Sequence, residues 1–263
     1  MKRSALGVVV TAILATACGY GGAAPYEPVV RSATPGSVAV QRHLPESPHP
    51  SLPQRSPSAS PSPAPSSEDV HPIGWYVRVT IVDPATRSRM RYSWHKECPV
   101  PIKNLRLIRM SYLGFDREVH LGEMVVHRSV AEDVVKAFHA MFTARYPIRR
   151  MRLVDDYRGD DDRSMAADNT SAFNCRKVTG GHAWSEHAYG WAIDINPVEN
   201  PYISSSGKVL PPAGRKYADR SSRARGIIHH GDVVWRAFRS IGWGWGGDWR
   251  SFQDYQHFSA TGR

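Results

Sequence analysis

His187 and Asp194 are separated by six residues in the stretch Ser185-Glu186-His187-Ala188-Tyr189-Gly190-Trp191-Ala192-Ile193-Asp194-Ile195-Asn196. Imidazole nitrogen and carboxylate oxygen both suit zinc, and a hydrolytic zinc site takes three protein ligands and leaves one position for water. The third ligand has to come from elsewhere. His257 is the best candidate, because a second carboxylate, Asp254, stands three residues before it. Two histidines and one aspartate leave a zinc ion one net positive charge, enough to polarise a carbonyl and acidify water. Asp254 is then the general base toward the attacking water and the acid toward the leaving amine. Either pair alone is a weak pattern and is structural more often than not; the two together make a site.

The elements that must position these residues are legible in part. Trp191, Ile193 and Ile195 alternate with Ala192, Asp194 and Asn196, which predicts a buried strand. An unpaired carboxylate among such neighbours would be costly, so Asp194 needs a strong partner. Tyr76–Val82, Leu105–Tyr112 and Val119–His127 are β-branched or alternating and predict three strands, with Gly122 as a bulge in the third. Ser129-Val130-Ala131-Glu132 has the form of a capping box. The helix it opens carries Val130, Val134, Phe138 and Met141 on one face and stops before Pro147. Met151–Val154 reads as another strand. Asp155–Trp184 and Asn200–Arg225 read as long loops, which tend to be functional in compact domains. Asp232 can cap a helix running through Phe238 to the Gly242 region.

Other residues that could do chemistry have a plainer reading beside the functional one. His182, His229 and His230 could ligate a metal, but solvated histidines are the default. Trp243, Trp245 and Trp249 could line a cleft or pack in the core. The Asp160-Asp161-Asp162 run could hold a cation, yet it lacks the glycine and glutamate of a calcium loop and reads better as a solvated turn.

Residues 1–18 read as a lipoprotein-type signal peptide. Lys2 and Arg3 precede the apolar run Leu6–Leu14, and Ala15-Thr16-Ala17 precede Cys18. The run is too short to span a bilayer. Ala15 stands where a lipobox prefers leucine, so cleavage nearby without lipidation of Cys18 is the alternative. Residues 19–70 are rich in Pro, Ser and Ala and predict a disordered tether, extended at about 3 Å per residue where polyproline-like. A single folded domain is expected over 71–263. Of the three cysteines, Cys18 is assigned to lipid, which leaves Cys98 and Cys175 as an even pair and a disulfide in an oxidising compartment. The alternative is two unrelated buried thiols. The net charge of +10 fits an anionic envelope better than nucleic acid, because the leader implies export and no basic stripe interleaved with aromatics is present; a solvated basic surface with no specific partner reads equally well.

Ser185, His187, Gly190, Ala192 and Asp194 match Ser-x-His-x2-Gly-x-Ala-x-Asp, followed by Asp254-x2-His257-Phe258. This frame resembles the zinc D,D-peptidases of the M15 family, which include D-alanyl-D-alanine carboxypeptidases and L-alanyl-D-glutamate endopeptidases. Asn169–Arg176, Ala192–Pro197 with Asn200-Pro201-Tyr202, and Trp245–Trp249 are similar to the endopeptidase-like subgroup. The resemblance covers roughly residues 100–260.

The resemblance implies an α+β fold, a small, mainly antiparallel sheet with helices packed to one side, as in the hedgehog and D,D-peptidase-like domains. It implies zinc on His187, Asp194 and His257, with Asp254 as base where many members have glutamate. It implies that Arg176 faces substrate, either clamping a carboxylate or stabilising the oxyanion. Ser185 is expected to orient His187 or touch substrate rather than act as a nucleophile. The expected partners are peptidoglycan stem peptides and, through Cys18, the outer face of the cell membrane, with the protein a monomer. The competing readings are a cell-wall-binding module with a structural zinc site and a zinc-containing signalling domain.

Overall fold

The computed structural model describes residues 74–263. The predicted signal peptide with Cys18, the tether and the first residues of the expected domain lie outside the described residues. No helix among the described residues is long and apolar enough to cross a membrane.

Strands β1 (Val77–Ile81), β2 (Leu105–Leu113) and β3 (Val119–His127) form an antiparallel sheet in that order. Helix α1 (Pro84–Arg89), capped by Asp83, follows β1. Side chains on successive residues face opposite sides of a sheet, and here both sides are buried. Ile108, Met110, Met124 and Val126 enter one hydrophobic cluster. Leu105, Leu107 and Val125 enter a second, with Met90, Leu153, Phe173 and Cys175. Gly122 is not a bulge. It pairs with Met110 in regular register, and a Cβ there would lie 2.5 Å from Met151 Cβ. Its lack of a side chain makes room for Met151.

Helix α2 (Ala131–Thr143) lays Val134, Ala137, Phe138 and Met141 on the first cluster. Ser129 does not cap it. Val130 is the N-cap with no side-chain bond, and Ser129 Oγ is instead 2.7 Å from His127 Nδ1. Glu132 and Asp133 in the first turn favour the helix through its dipole.

The predicted 151–154 strand is shorter and earlier, β4 (Arg150–Met151), followed by a 3-10 turn at Val154–Tyr157. The long loop holds more structure than its composition suggests. Asp160 caps α3 (Asp161–Ala166), accepting from Arg163 N at 3.1 Å, so the triple-aspartate run is a helix start rather than a bare turn. Strand β5 (Asn169–Thr170) then pairs parallel to β4.

Helix α4 (Glu186–Tyr189) and β6 (Ala192–Asp194) follow. The predicted strand is real but short. Ala192 to Asn196 are all buried, the strand ends at Asp194, and Asn196 beyond it has φ +42°. β7 (Tyr202–Ile203), β8 (Val209–Leu210) and β10 (Gln253–Asp254) form a second small sheet, ordered β10-β7-β8. The Asn200–Arg225 segment is therefore a hairpin plus a 3-10 turn at Pro212–Tyr217, not a plain loop. Helix α5 (Val233–Ser240) is capped by Asp232 as expected, Oδ1 accepting from Trp235 N at 2.9 Å.

β9 (Gly244–Trp245), β11 (His257–Ser259) and β6 make the third sheet, with β11 central. One chain of aromatic contacts ties the helices to it. Phe138 on α2 meets Phe238 on α5 edge-on, and Phe238 stacks on Phe258 of β11 at 4.4 Å. Mixed helices and small antiparallel sheets give the α+β class. The helices do not cover one large sheet; α2 packs on β2 of the first sheet, α5 packs on α2 and on β9 of the third, and the segment around Phe173–Cys175 lies in the cluster on the other face of the first sheet.

Candidate metal centre and active site

Ser185 caps α4, its Oγ accepting from His187 N at 3.3 Å. Ser185 thus contacts His187 through the main chain. The helix closes at Gly190, which has φ +71°. A Cβ there would sit 2.5 Å from His127 N, and Gly190 O accepts from that same N–H at 3.0 Å. Only glycine allows this contact, which pins the turn between His187 and Asp194 to the end of β3.

Asp194 closes β6 and His257 opens β11, and the two are direct cross-strand partners. Asp194 is also held from its other side by Ser171, N to O at 3.0 and 2.9 Å. The three side chains meet. His257 Nδ1 is 3.1 Å from Asp194 Oδ1, His187 Nε2 is 3.2 Å from Asp194 Oδ2, and the two ring nitrogens are 3.2 Å apart. All three residues are buried.

Main-chain carbonyls set the tautomers. Ala172 O accepts from His187 Nδ1 at 2.6 Å, and Arg263 O accepts from His257 Nε2 at 3.0 Å. A carbonyl can only accept, so each bond places the proton on the outer nitrogen and turns a bare lone pair inward. Two imidazole lone pairs and an ionised carboxylate then converge in a buried space. Such a set repels itself unless a cation sits among it. Without a metal a proton is the substitute. Burial disfavours charge on His257, but the Asp194 carboxylate outweighs it and raises the imidazole above its ordinary value. Burial likewise pushes the Asp194 carboxyl up, yet the His187 and His257 imidazoles pull it well below the usual range. The donor set fits a divalent ion of the zinc type, with carbonyls fixing the histidine ligands from behind.

Asp254 ends β10, three residues before His257. Its carboxyl is raised to about 6, by burial first and then by the nearby Asp194 charge. Its Oδ1 is covered and has no hydrogen-bond partner. A carboxyl with a free, covered oxygen beside a candidate metal site suits a proton acceptor whose partner arrives with substrate.

Arg176 stands close in the chain fold but is occupied. Its main-chain oxygen accepts from Ser185 N at 3.0 Å, while its Nη2 pairs with Asp161 Oδ2 at 2.8 Å and its Nε is covered without a partner. Trp249 packs against His257 at 5.4 Å, whereas Trp243 and Trp245 are core residues. His182, His229 and His230 do not join the cluster. Cys98 and Cys175 are joined in a disulfide with Cα atoms 5.8 Å apart.

The residues that sequence reading missed are Ala172 and Arg263, which act through their carbonyls, and Asp161, which holds Arg176. A carbonyl has no residue-type signature, and Asp161 reads only as one acid in a run of three.

Residues 179–260 match a peptidase M15 family model described as D-alanyl-D-alanine carboxypeptidase. Neither the curated proteins nor the solved structures yield a match to the chain. The matched segment carries His187, Asp194 and His257, whose side chains make the buried centre, and Asp254 beside it. Residues 179–260 are thus similar to the M15 peptidase family.

Proposed function

We propose that the protein is a zinc-dependent peptidase that hydrolyses amide bonds in peptidoglycan stem peptides. The observation that carries this reading is the convergence of His187 Nε2, His257 Nδ1 and the Asp194 carboxylate, with both imidazole protons drawn outward by carbonyls. His187, Asp194 and His257 would hold the ion. When bound, zinc supplies a Lewis acid for the scissile carbonyl and lowers the pKa of water.

The chain's own residues do the rest. Asp254 takes the proton of the attacking water and hands it to the leaving amine nitrogen. Its raised pKa, about 6, makes it a competent acid for the second half of that transfer. Arg176 exchanges Asp161 for an anionic group of the substrate, either a terminal carboxylate or the oxyanion of the tetrahedral intermediate. The Arg176–Asp161 pair is itself a guanidinium–carboxylate contact, so a substrate carboxylate would replace like with like. Trp249 braces the His257 ring.

Two specificities share this machinery, removal of a terminal D-alanine and cleavage between L-alanine and D-glutamate. The description of the matched family model favours the first. The proposal places the protein outside the cytoplasm, anchored through a lipid on Cys18 as a monomer, with the basic chain drawn to the anionic envelope. Metal analysis of the purified protein together with mass analysis of defined muropeptide products tests the reading. About one zinc per chain and a shortened stem peptide are expected. A metal-free protein that binds wall sacculi without cutting them would replace this reading with that of a wall-binding module.

A further inference from the structure

We infer that His95, Cys98 and Cys175 form a second metal site, sulfur-rich and distinct from the buried centre, which opens when the Cys98–Cys175 disulfide is reduced. One imidazole nitrogen and two sulfurs lie within 4.8 Å of one another. His95 Nε2 is 3.5 Å from Cys175 Sγ. Its other nitrogen, Nδ1, is 2.8 Å from Glu97 Oε2, and that carboxylate holds the proton on Nδ1 and turns the Nε2 lone pair toward the sulfurs.

The site is held by bonds other than the disulfide. Residues 95–98 form a closed turn, Cys98 N donating to His95 O at 3.2 Å and His95 N donating to Cys98 Sγ at 3.1 Å. An amide aimed at a sulfur stabilises its thiolate. Cys175 is fixed independently, since its N–H donates to Ser93 O at 3.0 Å. Ser93 N in turn donates to Asp155 Oδ1 at 3.1 Å. Both cysteines therefore keep their places when the S–S bond is gone. The His95 side chain is 46% exposed, which gives an ion a way in and leaves room for water as a fourth ligand.

The chemistry balances with a dithiol reductant. It delivers two electrons and two protons, the S–S bond breaks into two thiols, and the reductant closes its own disulfide. Binding a divalent ion then releases both thiol protons to solvent. Two thiolates and an imidazole suit zinc, and cobalt reports the same set by its thiolate charge-transfer absorption.

The test uses the full chain carrying Cys18→Ser, so that Cys98 and Cys175 are the remaining cysteines. The chain is reduced with dithiothreitol, freed of reductant without air, and titrated with Co²⁺. A thiolate charge-transfer band is expected that saturates at one equivalent of cobalt beyond any taken by the His187, Asp194 and His257 centre, and the band is absent from the oxidised chain. The His187, Asp194 and His257 centre holds no sulfur and cannot produce the band, so the outcome is independent of the peptidase reading. Cys175→Ser should abolish the band. His95→Ala, an exposed change that leaves folding intact, should weaken cobalt binding by at least the about tenfold typical of losing an outer-shell partner. A disulfide that resists the dithiol, loss of far-ultraviolet dichroism on reduction, two free thiols without the band, or unchanged binding in His95→Ala would each overturn the inference.

Discussion

His257 and Asp194 face each other across β11 and β6, with Nδ1 3.1 Å from Oδ1. They are 63 residues apart in the chain. A slip of one residue in this pairing would turn every side chain of β11 to the other face and carry His257 into the core. Phe258 prevents that slip, since it is fully buried and stacks on Phe238 and Trp245. The hydrophobic register of the third sheet thus sets the geometry of the candidate metal centre.

The ligand and base roles separate by measurement. His187→Ala, Asp194→Ala or His257→Ala should drop the zinc content from about one per chain to near none. Asp254→Asn should keep the metal and lose roughly 10²–10⁴ in turnover on a muropeptide substrate, the range for removing a general base. Retained turnover in Asp254→Asn would reject the assignment of the base.

Gly190→Ala should cost at least about 1–3 kcal/mol, because a side chain would be held at positive φ and pressed on His127 N. The damage falls on the turn between two ligands. Both the melting temperature and the zinc affinity should fall, the latter read by competition with a chelator. A variant that melts lower with unchanged zinc affinity would show that the turn does not set ligand spacing.

Glu199 gives a pH signature away from the metal. It is 2% exposed, lies beside Asp168 and is 3.5 Å from Arg149 Nη2. Burial and the Asp168 neighbour push its carboxyl up to about 8, from 4.5 in the unfolded chain. The folded state then keeps a proton that the unfolded state gives up. Wild-type stability should therefore fall as pH rises from about 4.5 to 8, on the order of 2–4 kcal/mol from this group. Glu199→Gln removes that contribution. The melting-temperature difference, variant minus wild type, should grow with pH across this window; a flat difference would count against it.

Asp161→Asn should loosen Arg176 and lower KM for a substrate that ends in a carboxylate. Arg176→Ala should reduce kcat/KM by about 10²–10³ if the guanidinium stabilises the developing anion. Equal kcat/KM in wild type and Arg176→Ala would remove Arg176 from the machinery.

Cys18→Ser should release the protein from membranes into the soluble fraction. Unchanged fractionation would reject the lipid anchor.

The sequence by itself determined the first sheet, the α+β class and the three side chains, His187, Asp194 and His257, that the fold brings together. A run rich in β-branched and apolar residues specifies a strand wherever it stands, and β3 runs from Val119 to His127 as read. The His/Asp motif of the candidate centre is a matter of residue type at set spacing, which the chain carries openly. Only the tertiary structure decided the rest. Gly122 looked like a bulge because a local reading cannot see Met151 filling the space above it. Ser129 looked like a cap because nothing local shows His127 competing for its hydroxyl. The 155–184 stretch looked bare because two short helical turns and a two-residue strand carry too little periodicity to read. The histidine tautomers rest on the carbonyls of Ala172 and Arg263, and a main-chain oxygen is the same in every residue. Its effect on a ligand depends on where the fold brings it.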